Sequence, residues 1–185
     1  MTDLLQDDPQ AVVLALDECH LWFQPTLTRA WSPIGQTPVV LGHPDRDWVA
    51  VYGALNLRTG QEHAVLTEKF NQRTTATFLE YLLALYPKRR LLILCDRASW
   101  HTGKPVAALL AEHPQLELLA FPVACPELNP QEHVWAAVRQ KVSHNHTCRS
   151  FAQLAAAFLL TLRRTWVRPT LYDRFAPPIL SSLAV

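Results

Sequence analysis

Glycine is scarce in this chain of 185 residues, with five positions against fourteen prolines, so its loops carry many rigid points. Long hydrophobic runs are missing as well. No apolar stretch approaches the roughly 18 residues needed to cross a bilayer, so no helical membrane span is predicted and no membrane partner is expected. The N-terminal MTDLLQDD has neither the basic region nor the apolar core of a secretory signal. Cysteine is limited to Cys19, Cys95, Cys125 and Cys148 with no CxxC spacing, which predicts reduced thiols in a cytosol. Net charge is small at +1, but it is unevenly spread. Residues 1–132 hold 10 basic and 15 acidic side chains, whereas residues 133–185 hold 7 basic and one acidic. Such a basic tail beside an acidic half suits a polyanion lying across both, or simply a solvated helical face. With 49% apolar and 18% charged residues, the chain reads as one globular domain over residues 1–185, not as disorder.

What is present is a repeated device. Ala11–Asp17 (AVVLALD) is an apolar run suited to a strand buried on both faces, and it stops on an aspartate. Leu91–Asp96 (LLILCD) has the same design. Side by side, two such strands would bring together two carboxylates that are costly to bury unless a cation such as Mg²⁺ or Mn²⁺ sits between them. Singly, each Asp is better explained as a strand-end acceptor of a loop N–H; two of them on equivalent, neighbouring strand ends weaken that explanation. The C-terminal edge of α/β strands is nevertheless where sites form.

The remaining elements follow from periodicity and breakers. Trp48–Leu57 and Glu62–Leu66 flank Arg58–Gln61 as a strand–turn–strand, forming with Ala11–Asp17 a three-strand antiparallel meander. Between the first two strands, Pro25–Pro44 contains four prolines and reads as a long ordered arm. Thr74–Tyr86 has helical spacing, with Thr77 and Glu80 as a capping box and Pro87 as its stop. Pro105–Glu112 is a short helix leading to strand Leu116–Phe121. Asn129–Val142 is a helix with Asn129 as N-cap and Pro130 at N1, and Ser150–Thr165 is another. The sum is an α/β fold: a mixed five-stranded sheet, three antiparallel strands then βαβα, with helices on both faces. Trp22, Trp31 and Trp48 are assigned to the core.

Glu132 follows Asn129 by three residues. That spacing fits a capping-box acid as well as a carboxylate held near the sheet beside Trp135 and the stripe Val134, Val138 and Val142. Here the chain resembles a known family. ALDECHLWFQP, WSPIGQTPVV, LCDRASWH and CPELNPQEHVW (with Pro126, Leu128, Asn129, Pro130, Glu132 and Trp135) are similar to the catalytic core of DDE transposases of the mariner superfamily, in the bacterial insertion-sequence 630-type branch.

The resemblance, spanning about Val12 to His146, implies an RNase H-like fold and a catalytic, metal-holding triad of Asp17, Asp96 and Glu132. Its expected cofactor is Mg²⁺ or Mn²⁺, as two ions, with Asp17 bridging and Asp96 and Glu132 each on one. The expected reaction is cleavage at transposon ends and transfer of 3′-hydroxyl ends into target DNA. Alternatives are an RNase H-like nuclease that cuts without joining, or a non-catalytic DNA-binding remnant. Candidate DNA contacts are Arg97, His101, Arg139, Lys141, His144 and His146. Arg97 stands where the family commonly has Asn, and is placed either to meet a phosphate or to compete for Asp96. Family members usually carry N-terminal helix-turn-helix domains, whereas this chain starts about ten residues before its first core strand; the expectation is a separate polypeptide from an upstream reading frame as partner, a shortened chain or a truncated relic. A homodimer on DNA, with the Pro25–Pro44 arm reaching the second subunit, and a bacterial cytoplasmic, nucleoid-associated location complete the implied picture.

Overall fold

The apolar runs pair into a single five-stranded sheet in the computed structural model, which describes residues 8, 10–42, 45–122 and 129–167. The strands are β1 (Val12–Trp22), β2 (Trp48–Asn56), β3 (Glu62–Thr67), β4 (Leu91–Cys95) and β5 (Leu116–Ala120), in the spatial order β3-β2-β1-β4-β5. β2 runs antiparallel to β1 and β3, while β1–β4 and β4–β5 are parallel. Parallel neighbours need crossovers, supplied by helix α1 (Gln72–Leu85) before β4 and α2 (Lys104–Glu112) before β5. Helices α3 (Gln131–Val142) and α4 (Phe151–Arg163) follow. The meander-then-crossover order predicted from the sequence is the one found.

Strand alternation sorts the core into two layers. Val12, Leu14 and Leu16 join Leu91, Ile93 and Cys95 under α1 and α2. Val13 and Ala15 join Leu92 and Leu94 under Val134, Trp135 and Val138 of α3 and Leu154, Phe158 and Leu162 of α4. With both faces covered, β1 and β4 must be apolar at every position, which is why they read as unbroken runs. The β2–β3 turn is closed by Gly60 (φ +76°), whose N–H donates to the Asn56 carbonyl at 2.7 Å. No helix among the described residues is long and apolar enough to cross a membrane.

Four expectations are corrected. β1 does not stop at Asp17 but continues to Trp22, because β2 goes on pairing with it from Asp17↔Gly53 to Trp22↔Trp48. Its pairing with β4 ends at Ala15↔Leu94, so Asp17 is mid-strand yet lies just where β4 has run out. α1 begins at Gln72, and its capping box is made by Asn71 and Thr74 rather than Thr77 and Glu80. Trp22, Trp31 and Trp48 are 44%, 103% and 40% exposed, not core. Trp22 and Trp48 instead close on each other across the far end of β1 and β2, with ring centroids 5.9 Å apart. Residues 25–42 form the expected irregular arm, on which Leu27, Trp31, Ile34, Val39 and Leu41 are all exposed. Pro44, Cys125, Pro126, Leu128, Arg168 and Arg174 lie outside the described residues.

Candidate active site

Asp17 shares strand parity with Val13 and Ala15, which places it on the face covered by α3. The Trp135 indole N–H donates to Asp17 Oδ2 at 2.9 Å. Trp135 stands three residues after Glu132 on α3, so one helical turn delivers the hydrogen-bond donor and the second carboxylate together. Asp17's carboxyl is pushed up to about 7. Burial is the main cause; the Trp135 bond opposes it, and the charges of Glu132 and Glu18 reinforce it.

Glu132 is exposed in the first turn of α3, where the helix dipole favours an acid. The helix starts at Gln131, one residue later than expected, with Pro130 in the cap position. Asn129 still serves the terminus, its Oδ1 accepting the Gln131 N–H at 3.1 Å. The reciprocal half of a capping box is not made, and the Glu132 carboxylate has no hydrogen bond among the described residues.

Asp96 directly follows β4. Continuing the β1–β4 register two residues beyond Ala15↔Leu94 sets it alongside Asp17. Its side chain is 55% exposed, and Oδ1 accepts the Ala98 N–H at 2.9 Å and faces His101 Nδ1 at 3.0 Å. His101 Nε2 in turn meets Glu18 Oε1 at 2.8 Å. Ligand atoms of Glu18, Asp96 and His101 thus lie within 4.8 Å of one another, a spacing a metal could use. Burial alone would lower the His101 pKa, but hydrogen bonds to Cys95 and Glu18 and their charges outweigh it and hold the ring up to about 11. With the ring charged, its two N–H groups bridge Glu18 and Asp96 and brace the Asp96 carboxylate.

The structure therefore brings Asp17 and Glu132 into electrostatic contact and sets Asp96 at the adjoining strand end, braced from behind. Beyond the end of β4, no described strand pairs with that edge of β1. There a cleft of about 400 Å³ is lined by Glu18, Cys19, His20, Trp22, Glu132, Trp135 and Arg139. Arg139 Nη2 donates to the His20 carbonyl at 3.1 Å, and Arg97 and Lys141 are exposed. His144 pairs with Thr26 Oγ1 through Nδ1 at 2.6 Å. His101 and His146 are corrected as surface contacts, since both are buried with both ring nitrogens engaged. His146 Nε2 meets the Phe23 carbonyl at 2.8 Å, and its Nδ1 accepts the Cys148 N–H at 3.3 Å.

Four residues of this region escaped sequence reasoning. Glu18 is masked by its neighbour Asp17, whose strand parity it does not share. Gly53, the register partner of Asp17, carries no local turn signal. Glu62 counted only as a strand residue, although its parity with Ala64 points it at the α3 face. Gln131 was hidden beside Glu132.

The chain matches the model of the DDE superfamily endonuclease family over residues 12–155. An insertion element IS630 uncharacterized 39 kDa protein of Shigella sonnei is 25% identical over 139 residues, covering 75% of this chain and 40% of that protein. The chain thus spans well under half the length of that relative. Among solved structures, a Mos1 transposase paired-end complex with left transposon end aligns at TM-score 0.66 and 15% identity, covering 98% of this chain and 56% of that one. The catalytic domain of Mos1 mariner transposase aligns at TM-score 0.61 and 13% identity, covering 98% and 84%. At these identities the structural likeness establishes the fold, an RNase H-like sheet with helices on both faces. With the family match spanning most of the sequence, this chain belongs to the DDE superfamily endonucleases.

Proposed function

We propose that this chain is the catalytic domain of a DNA transposase, cutting at transposon ends and joining 3′-hydroxyl ends into target DNA, with Asp17, Asp96 and Glu132 as its metal-holding triad. The observation that carries the reading is Asp17: a half-buried carboxyl raised to about 7 by burial and by the charges of Glu132 and Glu18. Anions crowded in this way are relieved by a cation. The donor set is all carboxylate oxygen, which suits Mg²⁺ or Mn²⁺. When bound, a pair of such ions supplies Lewis-acid stabilisation of the attacking and departing oxygens of a phosphodiester. The chain's own groups prepare the site. Trp135 orients Asp17, while Ala98 and His101 hold one oxygen of Asp96 and leave the other available. Exposed Arg97 and Lys141, with Arg139 at the cleft, offer charge to DNA phosphates.

The relatives support this reading. Mos1 structures are described as a paired-end complex, a strand transfer complex, and paired-end complexes with Mn and with Mg. By analogy, two copies of this chain would hold two DNA ends, with the exposed arm 25–42 reaching the second copy. A helix-turn-helix polypeptide would be a further partner in end recognition. The setting would be a bacterial cytoplasm, at the nucleoid. The test is a strand-transfer assay on pre-cut ends with Mg²⁺ or Mn²⁺. Joined product upholds the proposal; nicking alone makes the protein a nuclease, and binding with neither makes it a remnant. Asp96→Asn abolishes metal-dependent nicking on this reading, and full activity in that variant removes Asp96 from the site.

A further inference from the structure

Beneath the triad lies a carboxyl that the reaction does not use. Glu62 opens β3 and is 1% exposed; Gln131 opens α3 and is fully buried. Gln131 Nε2 donates to Glu62 Oε1 at 2.7 Å. The remaining polar atoms of the same two groups, Glu62 Oε2 and Gln131 Oε1, both lack a hydrogen-bond partner among the described residues. Two orphaned acceptors on side chains already joined by one bond are an arrangement that a single proton resolves. A neutral Glu62 donates from Oε2 to Gln131 Oε1, closing a two-bond acid–amide pair in a dry contact. Burial, opposed by the Gln131 and Ala54 bonds and aided by the charge of Asp17, drives Glu62 toward that neutral form.

The pair sits where α3 packs against the sheet at Gly53. A Cβ on Gly53 would lie 2.4 Å from Gln131 Nε2, 2.5 Å from Trp135 Cη2 and 2.7 Å from Glu62 Oε1. Gly53 is itself the register partner of Asp17. Glu62, Gln131 and Trp135 thus converge on bare backbone directly beside the first triad residue, and Glu132 is the next residue along the helix.

We propose that Glu62, as a neutral acid, and Gln131 form a lock that sets the height of α3 over the sheet and so positions Glu132 against Asp17; Glu62 is a positioning residue and not a metal ligand. The inference rests on the triad being the metal site. It is tested on the full chain by Mn²⁺ binding, read from loss of the free-ion electron paramagnetic resonance signal, with circular dichroism confirming the fold. Glu62→Gln, whose amide can make both bonds to Gln131, binds within about twofold of wild type. Glu62→Ala weakens binding about tenfold or more, as loss of groups that orient metal ligands typically does. Gln131→Met keeps the side-chain length, lacks the bonds and weakens binding likewise, so it decides the matter where Glu62→Ala does not fold. An infrared spectrum at about pH 9, above the ordinary carboxyl range, shows a protonated-acid carbonyl band that Glu62→Gln removes. Unchanged binding in Glu62→Ala or Gln131→Met overturns the lock, as does Glu62→Gln falling as far as Glu62→Ala, which would make Glu62 an ionised ligand. Absence of binding in wild type, or normal binding in Asp17→Asn, sinks the triad reading instead, and the infrared band then decides the lock on its own.

Discussion

Adding one methyl group at Gly53 tests how tightly the active-site helix is held. The new Cβ would meet three atoms at 2.4, 2.5 and 2.7 Å, where real Cβ atoms essentially never come within 3.0 Å. All three belong to buried side chains, two on α3 and one on β3, so relief requires α3 and the Glu62 side chain to give way by about 0.6 Å or more, approaching the displacement at which catalysis suffers. Overpacking of this kind costs about 1–3 kcal/mol. For a chain of this length that is a drop in Tm of roughly 2–12 °C, which leaves the protein folded. Catalysis is hit harder, because a misplacement near 1 Å costs on the order of a hundredfold. Gly53→Ala should therefore show a modest Tm loss by circular dichroism and a hundredfold slower Mg²⁺-dependent nicking of end DNA. Gly42→Ala, which has nothing within 4 Å of its new Cβ, is the matched control and should change neither. A Gly53→Ala protein with wild-type nicking and wild-type Tm would refute the claim that α3 has no slack at this contact.

Three other outcomes follow from the same geometry. Trp135→Phe removes the donor that lowers Asp17, so in metal-free protein the Asp17 carboxyl should titrate about one unit higher still by carbon NMR; an unmoved titration would show the indole bond to be idle. Asp17 holds a proton up to about 7 when folded, against 3.8 ordinarily, so the unfolded chain releases that proton first as pH rises. Its contribution is intact below about pH 4, falls through the window between those values by at most about 4 kcal/mol, and is flat above. Asp17→Asn in EDTA should consequently raise Tm near pH 8 and leave it almost unchanged near pH 4, while abolishing cleavage; equal or lower Tm at both would count against the strained carboxyl. Replacing residues 30–41 by a short Gly/Ser linker removes exposed Trp31, Ile34, Val39 and Leu41 and should abolish two-ended complexes in a mobility-shift assay. Mn²⁺ binding should persist in that variant, and intact two-ended complexes would argue against an arm that reaches a partner.

Much of the fold was legible because its central strands are covered on both sides: AVVLAL and LLILC can hardly be anything but buried strands. The aspartates that close those runs were visible for the same reason, and helix α3 was flagged by Asn129 and Pro130. What could not be read is set by contacts distant in sequence. The extension of β1 past Asp17 depends on how far β2 follows it, which no local pattern in residues 18–22 reveals. Trp22, Trp31 and Trp48 look like core by size, yet they stand where the sheet ends or on the arm. His101 is engaged because Glu18 on β1 and Asp96 just after β4 meet it, 83 and 5 residues away. Glu62 reads only as a strand residue, because its partner Gln131 lies 69 residues further on.

The most direct test of the account is where a divalent ion sits. Crystals soaked in Mn²⁺ should give anomalous density between the carboxylates of Asp17, Asp96 and Glu132, with His101 still bonded to Glu18 and not to the ion. Density confined to Glu18, Asp96 and His101, or ions that ignore Asp17 and Glu132, would contradict it.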